Sequence, residues 1–394
     1  MLVLVALALA LSGQQSAPTK PKPSQPLGTF DDPNAGQGRP LQSVGVRGTI
    51  DAGGYAASTT LKTQTEFYER LSMLQIAVLR PAWAPQHPCA GSNALRTPAT
   101  ALLARNEFAS AAAALETLLH TNSEPATHQL LGLADEGVGQ LEAAAEQFRI
   151  AAAVQPDAAA RFAYGAALLL LGQVDSAEAL FRSSTEQTGG LASLAKIGLG
   201  AAMFQKGHSA DALGLFLDAA SAQSGASIPY EFIATAIDFA DPGSLAHLID
   251  VLSSLTRISP KNGSAHYAVA CALMAAAGGA PDASQIAKIE AELKEALALD
   301  PSLADAHFRL ASVYAARKDL PPAIFEYRAA LDHNPRLAEA HYRLSQLYTR
   351  SGQSELAGEQ IAVHRQLRAQ QKHEIESGIL PVRITGPEPA TCPE

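Results

Sequence analysis

The sequence predicts an all-α solenoid of about eight helix pairs, closed at its C-terminal end by a polar capping helix. Three observations lead there. Pro301 and Pro335 lie 34 residues apart, and six residues after each comes the same block, His307-Phe308-Arg309-Leu310 and His341-Tyr342-Arg343-Leu344. Tyr314 and Tyr348, and Ala323 and Ala357, keep that interval. In the middle of the chain Gly132, Ala144 and Phe148 recur as Gly165, Ala177 and Phe181, then as Gly200, Ala212 and Phe216, at intervals of 33 and 35 residues. Finally, 394 residues that are 47% hydrophobic, much of it alanine, and only 17% charged can fill a long core and exclude disorder throughout. A balance of 29 basic against 38 acidic side chains, with no dense basic stripe, excludes nucleic acid as a partner.

Taken in order, Met1 to Leu11 is an uninterrupted apolar run followed by Ser12, with Ala10 and Ser12 as a small-x-small cleavage pattern. Residues 1–12 therefore read as a signal peptide, and the protein as exported, periplasmic or secreted. The run is too short for a spanning helix of about 20 residues, and no later stretch is long and apolar enough to leave a transmembrane segment in the mature chain. Residues 13–60 are rich in Pro, Gly and Ser and read as a flexible segment. Residues 61–91 hold an N-terminal helix and a loop. Phe67, Leu71, Leu74, Ile76, Val78 and Leu79 form its apolar stripe, and Pro81 is its expected end.

The repeat array follows over 92–371, with units starting near Ser92, Pro125, Ala158, Ser193, Pro229, Gly263, Ala304 and Ala338. The first, fifth and sixth are degenerate. From Pro260 to Pro301 the interval lengthens to 41 residues, which places an insertion around Ala276 to Ser284. Asn106, Gly139, Gly172, Gly207, Gly243 and Gly352 occupy the turns between paired helices, where a left-handed backbone is expected; Lys318 and Ala277 break the pattern. The polar helix from Ser354 to Glu376 ends the array, and 372–394 comprise the end of this cap and an extended tail.

The small, aromatic, Ala and Pro positions above resemble the tetratricopeptide repeat, most clearly over Ala304 to Leu337, and the likeness covers about 70% of the chain. The resemblance implies a right-handed superhelical solenoid of an exported bacterial type, whose first helices line a concave groove that binds a protein segment. In that groove the implied contact residues are Phe162, Leu169, Ile197, Ala201, Phe204, Ile233, Ile237, Tyr267, Phe308, Tyr342, Arg343 and Arg350. The Lys and Asn set with which chaperone-binding members grip a terminal carboxylate is absent. Whether the groove is open, wound shut, filled by the N-terminal segment or buried in a homodimer stays open.

Sites for chemistry do not emerge. His373-Glu374 is followed by Ile375, Glu376 and Ser377, so the second histidine of a zinc-protease helix is missing. Phosphate-loop, dinucleotide and haem signatures are missing too. His128, His266, His307 and His341 share one repeat position. Adjacent helices pack about 8–10 Å apart, too far for a shared zinc bound at about 2.0–2.1 Å, so these are read as packing residues. The three cysteines, Cys89, Cys271 and Cys392, make no framework, and a Cys89–Cys392 pair would need the ends of an extended array to meet. The expectation is a non-enzymatic interaction scaffold with no catalytic residues, no cofactor and no metal. The alternative is an envelope carrier holding a lipid or glycan in the apolar groove.

Overall fold

A computed structural model describes residues 55–83, 90–185, 190–278 and 281–377. The expected signal peptide, most of the Pro/Gly/Ser-rich segment, Cys89, Cys392 and the tail after 377 lie outside them. Among the described residues there are 17 α-helices and no strand. They fall into two compact units: the first takes residues 62–223 and 373–377, the second 55–61 and 224–372, so the first residues of the opening helix and the last of the closing one are assigned away from the rest of their helices.

The first unit opens with α1 (Tyr55–Trp83), followed by α2 (Ser92–Ala104), α3 (Phe108–Leu119), α4 (Pro125–Gly137), α5 (Leu141–Val154), α6 (Ala158–Leu170), α7 (Val174–Ser184), α8 (Gly190–Gln205) and α9 (Ser209–Ala222). Helix α1 starts earlier than its apolar stripe and runs through Pro81. A proline so close to a helix end removes little, because only the last turn lies beyond it. The second unit holds α10 (Ile228–Ala236), two short 3₁₀ turns, α11 (Leu245–Ile258), α12 (Gly263–Ala277), α13 (Ala283–Leu299), α14 (Ala304–Ala316), α15 (Leu320–His333), α16 (Ala338–Arg350) and α17 (Ser354–Ser377). Ile237, expected on a helical face, lies in the first of those 3₁₀ turns.

Start signals act as their chemistry requires. The Asp157 carboxylate accepts from the Ala160 amide at 2.8 Å, and Asp282 and Gln285 cap α13 reciprocally, both at 2.8 Å. Between paired helices one turn recurs. The amide three residues past the end of the first helix donates to a carbonyl five residues back: Gln140 to Asp135, Gln173 to Leu168, His208 to Met203, Asp319 to Tyr314 and Gln353 to Tyr348, at 2.8–3.0 Å. The residue just before each donor has positive φ. Gly139, Gly172, Gly207 and Gly352 fill that place as expected. Lys318 does so too, at φ 62°, and Asn106 at φ 60° before the Glu107 donor. Gly243 does not, because it sits in a 3₁₀ turn capped by Asp241.

Small residues on first helices let aromatic rings of second helices come close. A Cβ at Gly165 would lie 2.3 Å from the Phe181 ring, and one at Gly198 on the next helix also 2.3 Å from it. Phe181 thus fills the seam between α6, α7 and α8. Gly132 with Phe148 and Gly200 with Phe216 repeat the arrangement. In the second unit Ala311 takes the small position, and Tyr327 the aromatic one, its hydroxyl 2.9 Å from Ser312 Oγ.

Candidate functional site

In the first unit α1 lies across the first helices α4 and α8, at the groove that the repeat pattern predicts. The Phe67 ring stacks on Phe204 of α8, with centroids 4.9 Å apart and planes 20° apart. Two turns further along, Gln75 Nε2 donates to Glu136 Oε1 of α4 at 2.9 Å. Beyond that, Ile76 and Leu79 share a core with Leu103 of α2, Leu115 of α3, Leu130 of α4 and Ala163 of α6. Helix α1 therefore occupies the groove with Phe67, Leu71, Leu74 and Leu79 as buried anchors, while Met73 on its other side is 60% exposed. These residues bury the face that the 3.6-residue period made apolar.

That placement changes the meaning of the expected contact residues. Leu169, Ile197 and Ala201 are buried, and Phe204 is covered by Phe67. Phe162 turns toward the second helix of its pair, 5.8 Å from the Phe181 ring. In the second unit Ile233, Ile237 and Tyr267 are buried, and Phe308 packs edge-on against Tyr327 at 5.5 Å. Tyr342 is half-buried beneath the Arg343 guanidinium, whose Nε is 2.8 Å from Glu339; Arg350 is exposed. Arg309 is enclosed. Burial opposes its charge, but Cys271, Tyr267 and Asp238 around it hold its pKa well above the ordinary value.

Two buried acidic side chains were missed by sequence reasoning. Glu136 is 1% exposed and Asp135 4% exposed, both on α4. Burial pushes the Glu136 carboxyl up to about 8 against the opposing Gln75 bond, with Asp135 adding to the rise. Burial, then Glu116, raises Asp135 to about 7. Two acidic residues directly after the apolar run Leu130 to Ala134 were the available signal.

The four equivalent histidines are clasps between paired helices. Nδ1 of His128, His307 and His341 meets Gln147 Oε1, Glu326 Oε2 and Gln360 Oε1 at 2.6–2.7 Å, each partner 19 residues on. His266 meets Glu292 at 2.8 Å, 26 residues on, so the clasp absorbs the insertion. Nε2 of His307 and His341 reaches the carbonyls of Pro301 and Pro335, at 3.0 and 3.1 Å. Among the described residues no group of three or more His, Cys, Asp or Glu is arranged to hold a metal, and no helix is long and apolar enough to cross a membrane.

Consecutive helices packed in pairs define a helical-repeat fold. Residues 130–192 match the family model described as a tetratricopeptide repeat. Members of this family are generally non-enzymatic. Similar solved structures include MamA 41-end from Desulfovibrio magneticus RS-1, at 18% identity over 45% of this chain and 96% of that one, TM-score 0.34. The Cut9-Hcn1 hetero-tetramer of the APC/C is 16% identical over 73% of this chain and 56% of that one, TM-score 0.44. A monomeric IFIT1 mutant with Gppp-AAAA is 14% identical over 66% and 68%, TM-score 0.39. No curated protein matches the chain.

Proposed function

We propose that the protein is an exported, periplasmic or secreted, scaffold that holds an amphipathic helix of a partner protein in the inner groove of its first unit. One observation carries the reading: α1 lies in that groove as a helical ligand would, anchored through Phe67 on Phe204 and Gln75 on Glu136. Export rests on the residue pattern of 1–12 alone. The lipid or glycan alternative has no observation in its favour, since the apolar residues that would line its cavity are already covered by protein.

Photo-crosslinking from position 204, with exposed Ser176 on α7 as control, tests the reading in cells that make the protein. A discrete protein adduct from 204 and none from 176 is expected. Adducts from 204 to residues of α1 alone would sink it, and adducts to lipid would revive the carrier.

A further inference from the structure

Helix α1 is an imperfect occupant of the groove. Gln75 is fully buried, yet its Oε1 has no hydrogen-bond partner, and neither has the buried Ser72 Oγ three residues before it. Opposite Gln75, Glu136 accepts one neutral amide bond and, among the described residues, nothing more. No cation contributes to the titration of Glu136 or of its neighbour Asp135 among the described residues. A buried carboxyl with an amide for its sole partner stays protonated, whereas a cation would let it ionise and form a charge-assisted bond. Unsatisfied polar atoms on the α1 side and a buried carboxyl with no cationic partner on the α4 side weaken one interface from both faces. Its apolar anchors, by contrast, fit well.

We propose that this groove is complementary to a partner helix that carries the apolar series of Phe67, Leu71, Leu74 and Leu79 and a basic side chain where α1 carries Gln75. Helix α1 is then a displaceable placeholder, and Glu136 reads the charge of what replaces it. This rests on the groove-binding reading above and adds the chemistry of the partner. A lysine in that register brings its ammonium to Glu136 without disturbing the anchors, and a neutral helix gains nothing over α1.

The test uses the full chain and two fluorescent synthetic peptides of residues 62–83, one with the native sequence and one with Gln75→Lys. The Gln75→Lys peptide is expected to bind about tenfold more tightly, the scale of one modest charge-pair contribution. On binding, the chain's own α1 amides should lose protection from hydrogen exchange. On a Glu136→Gln chain both peptides should bind with the same affinity. Equal affinities on the wild type overturn the inference while leaving groove binding intact, and so does a preference that persists on Glu136→Gln. Failure of both peptides to bind overturns the inference and the groove reading together. If Glu136→Gln does not fold, Gln75→Lys in the chain itself serves: its α1 amides should gain protection at pH 7, and unchanged protection overturns the inference.

Discussion

Glu136 is a carboxyl held away from water, and its proton is a term in the stability of the first unit. Its folded pKa of about 8 lies above the ordinary 4.5, so between those values the folded chain binds a proton that the unfolded chain has lost. Stability must therefore fall as pH rises from about 4.5 to about 8, with Asp135 adding a similar slope up to about 7. Denaturant midpoints measured across that range should show the decline, and Glu136→Gln should flatten the part that Glu136 supplies. His307 works in the opposite chemical sense. Burial disfavours its charge, but the Glu326 carboxylate and the Pro301 carbonyl, both acceptors, outweigh it and raise its pKa. Both ring nitrogens then donate, which fits an imidazolium; the His333 ring stacks on it at 5.8 Å. A raised histidine stabilises fully below its unfolded value of about 6.5 and stops contributing as pH climbs through the folded one. The second unit should lose stability above about pH 6.5, and Glu326→Gln should remove that loss in the same titration. The sequence showed the four histidines in register; it did not show their partners, because a contact 19 or 26 residues away has no local pattern.

At the level of the helix pair, the repeat was readable because its small and aromatic positions are fixed by close packing. Phe181 fits only if Gly165 and Gly198 have no Cβ. Gly165→Ala should destabilise the chain by about 1–3 kcal/mol through overpacking. Gly214, on the exposed side of α9, has nothing within 4 Å of a built Cβ, and Gly214→Ala should stabilise by about 0.5–1 kcal/mol. Thermal melts of the two variants check the contrast, and equal effects would mean that Phe181 does not fill the seam. Helix starts were legible at Pro125, Ala158, Ala304 and Ala338, since caps and turns are local. Two turns were misread. Lys318 keeps the left-handed turn because the Asp319 bond to Tyr314 demands it, and Gly243 leaves it because Asp241 caps a 3₁₀ turn there. Residue type alone is a poor guide where a hydrogen bond decides the backbone.

Across the molecule the sequence named the residues of the inner face and left the state of the groove undecided. The stripe of α1 was visible as an apolar face without a destination, since nothing local tells a helix which surface it will cover. In the first unit that surface is the groove, and α1 carries two buried polar atoms without partners among the described residues, Ser72 Oγ and Gln75 Oε1. Local opening follows such weak interfaces. Native-state hydrogen exchange of the full chain, resolved by helix, measures this directly. The amides of residues 67–79 should exchange through an opening that leaves α4, α6 and α8 protected, at a free energy below that of global unfolding. Exchange of α1 only together with those three helices, at the global value, would contradict a displaceable helix and make α1 a fixed part of the core.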